Sequence, residues 1–484
     1  MIYNNFNQSV IDEIRKSEGF SYPRLIKDLI KSNLPDRMRM EELWREYNGD
    51  VPIKSKTNST NPIRLDNRCA HDFRGTIIQQ IVGYLFGTPV KISISEDDPN
   101  QKAGQDILDS FNKKNHTDKL DSELETYVAT CGKGYRLLYY INSKDATGKS
   151  TTELIMKNIK SYEALIIEDA TTQEPALGMI YYQMEIASAA QGKKYRYKVE
   201  IYDNKNVYYF IEAENGEYVP DTMYGDSTQE HGFDYIPLIK FSNNTIERGD
   251  FEKVRTLIDS YDKIVSFGLA DSESYALAYL IFYGVEPTAE VLEQVRRTGA
   301  LYIPKDNDAD ANNRVEFLTK DMNMENLTEL TNLLNNDIYR FSSTVDMSDE
   351  KFSGAAQSGE SRKYKLFPLE TKAKEKERLW KESLERLYKV VTSFWKFVKN
   401  VNINPENIEF VFNRTVPLDL SYKDLIDLYN AGLITKESAV AQIKFIENVD
   451  DEVGELDDAE VVEAPEPVEP IIPIVQIQDK DTKI

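Results

Sequence analysis

Few residues in this sequence have the types and spacing that catalysis or ligand binding requires. Gly148-Lys149-Ser150 matches the end of a phosphate-binding loop, but Ser143 stands where that loop needs its first glycine. The residues that follow, TTELIM, have the pattern of a strand, whereas a phosphate cradle needs the N-terminus of a helix. We therefore predict a hairpin turn here instead of a nucleotide site.

Three alternating aspartates, Asp306, Asp308 and Asp310, look like the start of a calcium-binding loop. The sixth position of such a loop needs glycine and the twelfth needs a bidentate glutamate. This sequence has Ala311 and Phe317 at those positions, so an exposed turn is the better interpretation.

The histidines are too scattered in the sequence to indicate a zinc site. They stand at positions 71, 116 and 231, and we interpret His71 and Asp72 as a structural hydrogen-bonding pair. The sequence also lacks G-x-S-x-G, H-E-x-x-H and CxxC motifs. We therefore predict no catalytic residue, no metal and no cofactor, and a protein that is not an enzyme.

The composition is typical of a soluble globular protein. The chain has 484 residues, 40% hydrophobic and 29% charged, which is enough for two to four compact units. The two cysteines, Cys69 and Cys131, fit a reducing compartment. The first residues lack the apolar core of a signal peptide, and the longest apolar run, near 275–285, is too short to span a membrane. We expect assembly in the cytoplasm.

The charge balance argues against a protein that grips nucleic acid through its phosphates. The net charge is −23, and residues 447–484 contribute −11 of it through 13 acidic and 2 basic residues. An acidic surface repels phosphates, so it can surround DNA without adhering to it. Residues 448–484 are rich in acid and proline, and we expect this tail to be disordered.

The hydrophobic pattern predicts an α+β protein. Short runs rich in Tyr, Ile and Val between 134 and 242 predict mostly antiparallel strands. Helices are predicted before them, in the centre of 63–92, at 100–113, at 117–131 and at 8–48, the last broken at Tyr22-Pro23 and Leu34-Pro35.

Two helices are predicted to flank a small module in the next part of the chain. Gly249-Asp250 is an N-cap signal, and an apolar stripe continues from it to about Phe282. A second striped helix is expected from Met324 to Phe341. Residues 285–320 between them predict one short helix and two strands, held at the far end of the helix pair.

A small, polar stretch and a very long helix follow. Residues 345–360 lack the apolar residues of a buried element, so a mobile loop is expected. Pro368 should start or kink the helix after it. Within 361–402 one apolar stripe is formed by Ala373, Trp380, Leu384, Leu387, Val391, Trp395 and Val398.

Three blocks of this sequence together resemble the portal, or head–tail connector, proteins of tailed bacteriophages. They are DNRCAHDFRGTIIQQIVGYLFGTPV at Asp66–Val90, FSNNTIERGDFEKVRTLIDSYDKIVS at Phe241–Ser266 and FSGAAQSGESRKYKLFPLETKAKEKER at Phe352–Arg378. The group is typical of phages with long non-contractile tails that infect Gram-positive bacteria. The order and spacing of the blocks cover nearly the whole chain.

The resemblance implies a portal fold and a place in the virion. It implies a ring of about twelve subunits at one capsid vertex, with double-stranded DNA passing through a central channel without sequence readout. The implied parts are an α/β wing with N-terminal helices at 1–249, stem helices at 250–284 and 321–344, an αββ clip at 285–320, a tunnel loop at 345–360, a spine helix at 361–402, a helical crown at 403–447 and an acidic tail at 448–484.

The resemblance also implies partners and candidate site residues. The clip would dock the packaging terminase and later the head–tail adaptor, while major capsid and scaffold proteins surround the ring and no membrane is involved. Candidate docking residues of the clip are Arg296, Arg297, Asp306, Asp308 and Asp310. Candidate channel-lining residues of the tunnel loop are Asp346, Asp349, Glu350, Lys351, Ser353, Gly354, Gln357, Ser358 and Gly359.

The tunnel-loop residues suit contact with a sliding duplex. Lys351 would touch phosphates transiently, while its acidic neighbours oppose lasting attachment. Gly354 and Gly359 permit backbone conformations closed to other residues. From the residues alone two alternatives stay open: a cytoplasmic α/β scaffold or binding protein without a channel, and an ATP-dependent motor subunit, which the missing phosphate loop disfavours.

Overall fold

The structure is a computed structural model, which describes residues 16, 21–55, 67–144, 150–169, 171–186, 194–223, 225–276, 279–283, 289–290, 293, 314–318, 324–347, 359–414, 422–432 and 435–440. These residues combine helices with antiparallel sheets, which confirms the predicted α+β class. The chain divides into two compact units, 1–416 and 417–484. No described helix is both long enough and apolar enough to cross a membrane.

The first unit begins with helices and continues with strands. The helical part contains α1 (Tyr22–Tyr47), α2 (Pro52–Ser55), α3 (Phe73–Phe86), the strand β1 (Lys91–Ile94), α4 (Gln101–Asn115) and α5 (Thr117–Cys131). The β-rich part contains β2 (Lys133–Lys144), β3 (Ser150–Ile159), β4 (Ala164–Glu168), β5 (Pro175–Ile186), β6 (Lys194–Tyr202), β7 (Asn206–Glu212), β8 (Tyr218–Pro220), β9 (Thr228–Glu230) and β10 (Leu238–Ser242).

The rest of the first unit includes its longest described helix. It contains α6 (Arg255–Ala276), β11 (Tyr279–Tyr283), β12 (Arg314–Leu318), α7 (Met324–Ser342), α8 (Gly359–Val398) and β13 (Ile408–Val411). The described part of the second unit consists of two short helices, α9 (Tyr422–Asn430) and α10 (Lys436–Val440).

The predicted antiparallel β region is confirmed and forms two sheets. One has the order β10-β2-β3, and the other has the order β4-β5-β6-β7-β8 with β9 paired to β7. Lys144 of β2 lies opposite Ser150 of β3, so the Gly148-Lys149-Ser150 sequence joins two antiparallel strands. The prediction of a hairpin is therefore confirmed, and no helix N-terminus follows this sequence.

The long helix α8 is the centre of the largest hydrophobic core. Its predicted stripe is buried from Ala373 to Trp395, against side chains of α3, α4, α5 and β10. Val398 is the exception, with 40% of its surface exposed at the end of the helix. A second core lies between α1 and the larger sheet, and a third between the two sheets.

Two prolines lie inside helices that the sequence pattern predicted to break or begin there. α1 runs without interruption through Pro35, and α8 starts at Gly359 and continues through Pro368. Both prolines are on exposed faces, so water can satisfy the carbonyl groups that lose their helical partners. Packing of the opposite, apolar faces then outweighs the local cost of proline.

The predicted helix from 250 to about 283 is wrong at both ends. A short 3-10 helix at Glu252–Val254 precedes α6, and α6 ends at Ala276. Residues 279–283 instead form β11, which pairs antiparallel with β12, the predicted RVEFL strand. Short apolar runs suit either a strand or a helix, and here the pairing with β12 decides between them.

The connection between β10 and α6 wraps the C-terminal end of α5. The backbone N–H of Asp250 donates to the carbonyl of Ala129 at 2.7 Å, and that of Asn243 donates to the carbonyl of Gly132 at 2.9 Å. Gly132 has a φ of +95°, and a Cβ there would lie 2.1 Å from the carbonyl oxygen of Glu247. Only glycine fits this close approach of two backbones.

We predict that Gly132→Ala destabilises the protein by about 2–4 kcal/mol, because it adds both a clash and an unfavourable φ. Gly83→Ala is the matched control: Gly83 lies on the exposed side of α3 with no atom within 4 Å of an added Cβ. It should be neutral or stabilise by up to about 1 kcal/mol. Urea unfolding of the purified variants measures both, and equal stabilities would contradict the close-approach argument.

Candidate functional site

The structure describes only part of the predicted tunnel loop. Asp346 follows α7, and its Oδ2 accepts a hydrogen bond from Asn335 Nδ2 at 2.9 Å. Gly359 is the first residue of α8, so its backbone is helical and not that of a loop. The other candidates of the tunnel loop and the clip lie outside the described residues: Asp349, Glu350, Lys351, Ser353, Gly354, Gln357, Ser358, Arg296, Arg297, Asp306, Asp308 and Asp310.

The chain leaves α7 through a well-defined helix stop. Ser343 has a φ of +59°, a left-handed backbone conformation that is most often adopted by glycine directly after the end of a helix. The N–H of Ser343 donates to the carbonyl of Arg340 at 3.3 Å, and that of Thr344 donates to the carbonyl of Tyr339 at 3.1 Å. These two bonds close a Schellman motif and fix the direction in which the chain continues.

Residues 342–346, which we call the loop root, are held by side chains from two other helices. Gln80 on α3 donates from Nε2 to the carbonyl of Val345 at 2.6 Å and accepts from the N–H of Val345 at 3.0 Å. One side-chain amide thus pairs with both backbone groups of one residue, as a neighbouring strand would. Lys372 on α8 donates from Nζ to the carbonyl of Ser342.

Beneath the loop root lies a cluster of buried charges around Lys376 of α8. Its Nζ is 2.7 Å from Glu125 Oε1 on α5 and 2.7 Å from Asp250 Oδ2, and it also donates to Asn243 Oδ1. Trp380 Nε1 donates to the other oxygen of Glu125 at 2.6 Å. Lys372 Nζ lies 3.1 Å from Asp250 Oδ1, so the cluster continues to the loop root.

The charges in this cluster balance. Burial alone would lower the pKa of Lys376, but attraction to Asp250 and Glu125 outweighs burial and raises it. Burial opposes ionisation of Asp250, and the two lysines overcome it and lower the pKa of that carboxyl. Burial raises the pKa of Glu125, against the pull of Lys376. Two lysines and two carboxyl groups therefore form a largely buried contact of opposite charges whose role is to hold elements together.

A second charged junction joins α1, α3 and α6. Arg74 Nε lies 2.9 Å from Glu46 Oε2, and its Nη2 lies 2.6 Å from Asp259 Oδ1. Arg255 at the start of α6 pairs with Glu46 and with Glu42. The carboxylate of Glu46 is thus shared by two arginines from different helices.

The expected pair of His71 and Asp72 does not form. Asp72 caps α3, where its Oδ1 accepts from the N–H of Gly75 at 2.9 Å. His71 Nδ1 lies instead 2.9 Å from Asp262 Oδ1 on α6, which also accepts from the N–H of His71. Among the described residues, no three His, Cys, Asp or Glu side chains are arranged to hold a metal ion.

The charged residues of these junctions were not singled out from the sequence. Burial of Lys376 could have been predicted, because this residue stands between Ala373 and Trp380 at the helical spacing of the buried stripe. A lysine in such a position must find a buried partner. The identity of that partner, on α5 and on the β10–α6 connection, depends on contacts between residues far apart in the chain.

The same segments carry the three sequence blocks noted above. Arg74 of the first block contacts Asp259 of the second, and Asp250 of the second contacts Lys372 and Lys376 of the third. A family model described as "Phage portal protein, SPP1 Gp6-like" matches residues 26–465. The chain belongs to this family of phage portal proteins.

Curated portal proteins from two phages agree with this assignment. That of Clostridium phage phiCD119 is 24% identical over 446 residues, covering 88% of this chain and 92% of the relative. That of Bacillus phage SPP1 is 22% identical over 456 residues, covering 90% of this chain and 86% of the relative. The function is therefore that of a phage portal protein, a structural component of the virion at the capsid vertex that serves DNA packaging and ejection.

We predict that Lys376→Met destabilises this portal protein by about 3–5 kcal/mol, because it leaves Glu125 and Asp250 buried without their shared cation. Lys374→Met is the matched control, since Lys374 is exposed two residues away on the same helix, and its effect should stay within about 0.5 kcal/mol. Adding Glu125→Gln to Lys376→Met should recover part of the loss. Denaturant unfolding tests this, and a neutral Lys376→Met would contradict the role assigned to the cluster.

A further prediction concerns acid. Glu247 lies 2.7 Å from Lys133 Nζ and 3.0 Å from Lys240 Nζ. Burial opposes its ionisation, but the two lysines outweigh burial and lower its pKa from 4.5 to about 2. Because the pKa is lower in the folded state, this stabilisation is complete above pH ~4.5 and is lost as the pH falls towards ~2.

The stability difference between the natural protein and Glu247→Gln should therefore be largest near neutral pH, up to about 3 kcal/mol, and shrink below pH ~4.5. Unfolding curves at a series of pH values measure it. A difference that stays constant from neutral pH to pH ~2.5 would show that Glu247 is not held ionised by these lysines.

Proposed function

We propose that this portal protein closes into a ring of about twelve copies in which residues 345–360 line the narrowest part of the DNA channel. The support comes from the loop root. Gln80 of α3 and Lys372 of α8 hold the chain where the segment begins, and the segment returns at Gly359 as the start of the 40-residue helix α8. A segment supported in this way has a fixed origin, while between Ser353 and Gly359 its sequence has no apolar side chain larger than alanine to bury.

The segment suits contact with a moving duplex better than firm binding. DNA must slide through a portal, so tight phosphate neutralisation would hinder transport. Between Val345 and Gly359 there are three acidic residues and one lysine, Lys351. A single cation gives brief phosphate contacts, and the surrounding carboxylates oppose lasting attachment.

We assign the remaining parts by the path of the chain. The helices α6 and α7 pack together closely, since a Cβ added at Gly268 would lie 2.6 Å from Leu327 Cδ2, and they serve as the stem. The chain passes from α6 into β11 and returns through β12 to α7, so residues between the two strands leave and re-enter at one end of the helix pair. That position supports docking of terminase and the head–tail adaptor at 285–320. The proposal also includes a wing at 1–249, a spine at 361–402, a crown at 403–447 and a tail at 448–484. We propose that the protein contacts major capsid and scaffold proteins in the host cytoplasm.

We predict that deletion of Ser353 to Ser358 yields particles that contain the portal but hold little or no DNA. The shortened segment would no longer reach the duplex, while the loop root and α8 stay unchanged. A deletion of the same length in the acidic tail, residues 464–469, is the matched control and should leave packaging normal, because its charge and proline content prevent core burial. The DNA content of purified particles is the measurement.

Full-length genomes packaged by the Ser353–Ser358 deletion would show that another element faces the DNA. The same variants also distinguish a channel-forming portal from a scaffold protein without a channel. If the protein were a scaffold, the deletions would reduce the number of particles that form. The particles that do form with the Ser353–Ser358 deletion would then contain a normal amount of DNA.

A further inference from the structure

One face of α7 exposes apolar side chains that nothing in the described protomer covers. Leu330, Leu333 and Phe341 are 41%, 56% and 55% exposed. At ~100° per residue they fall within an arc of about 80° on the helix, so they form one stripe. Ile338 and Ser342, which lie outside this arc, are buried. An exposed apolar stripe of this kind on a soluble chain marks an interaction surface.

A second exposed apolar surface lies at the start of α8. Tyr364 and Phe367 are 79% and 67% exposed, and they stand three residues apart on one face of the helix. The same face continues with Thr371 and Lys374, which are also exposed. Large aromatic side chains are enriched in the central part of protein interfaces.

The two surfaces have opposite charge. Over its whole length, 324–342, α7 contains Glu325, Glu329 and Asp337 and one cation, Arg340, a net charge of −2. Residues 359–374 of α8 contain five Lys or Arg and two Glu, a net charge of +3. Within the protomer, Lys372 lies 3.1 Å from Asp250 and Lys374 lies 3.5 Å from Glu370, and the segment as a whole still carries more cations than carboxylates.

We infer that the exposed stripe of α7 in one copy packs against the start of α8 in the neighbouring copy. The proposal rests on the ring proposed above and names the surfaces that close it. A ring with rotational symmetry needs two different, complementary patches on each copy, joined head to tail. Here both patches combine exposed apolar side chains with opposite net charge, as attraction between copies requires. DNA is the less suitable occupant, because the α7 surface is acidic and apolar.

Charge reversal gives a test that depends on the pairing itself. One variant carries Glu325→Lys and Glu329→Lys on α7, and the other carries Lys365→Glu and Lys374→Glu on α8. In rings of either variant alone, every interface would bring like charges together, so the concentration needed for assembly should rise about tenfold or more. In an equimolar mixture, each copy finds its complement on both sides, and assembly should recover.

Native mass spectrometry of the mixture should show rings containing the two variants in equal numbers. The apolar contribution is tested with Phe367→Ser, which should weaken assembly by about tenfold or more if the Phe367 side chain is buried at the interface between copies. Phe397→Ser is the matched control, at 69% exposure near the other end of the same helix, and should leave assembly unchanged.

The outcomes separate this inference from the proposed function. If the natural protein forms no ring, the proposed function fails. If the natural protein forms rings and the reversed variants assemble equally well alone, these surfaces do not form the interface. Normal rings that package little DNA in the α8 variant would overturn the inference too, since they would place the start of α8 against the duplex.

Discussion

The buried ammonium of Lys376 imposes a constraint that several elements must satisfy together. A charge removed from water is tolerated only where its partners are positioned to within hydrogen-bonding distance. Those partners come from α5, through Glu125, and from the β10–α6 connection, through Asn243 and Asp250. The relative positions of α8, α5 and that connection are therefore coupled, because a displacement of any of them leaves a buried charge unpaired.

The β10–α6 connection also links the Lys376 cluster to other parts of the protomer. Asp250 is shared with Lys372, which also holds the carbonyl of Ser342 at the loop root. Glu247, a few residues earlier, joins Lys133 of β2 and Lys240 of β10. A portal needs a firm frame that nevertheless lets DNA slide. The described charges supply the frame, and the sequence after the loop root, with a single lysine and a glycine at position 354, has the composition that the proposed channel role needs.

Periodic patterns predicted much of this fold, and non-local contacts account for what they missed. The β region, α5, α7 and the buried stripe of α8 follow from local hydrophobic spacing, which reflects the face that each element buries. Pro35 and Pro368 misled the prediction, since packing of the opposite face maintains both helices. His71 was assigned to its neighbour in sequence, whereas Asp262, far along the chain, is its partner. The fold class and family were accessible from the sequence, but the charged junctions that support the loop root were not.

The most direct measurement is an electron-microscopy reconstruction of the purified portal protein at side-chain resolution. We expect a closed ring in which residues 345–360 of every copy project into the narrowest part of the channel, with Gln80 and Lys372 of the same copy at the root of the segment. A ring in which this segment lies on the outer surface, or a chain that stays monomeric at high concentration and in assembled capsids, would contradict the channel role assigned to it.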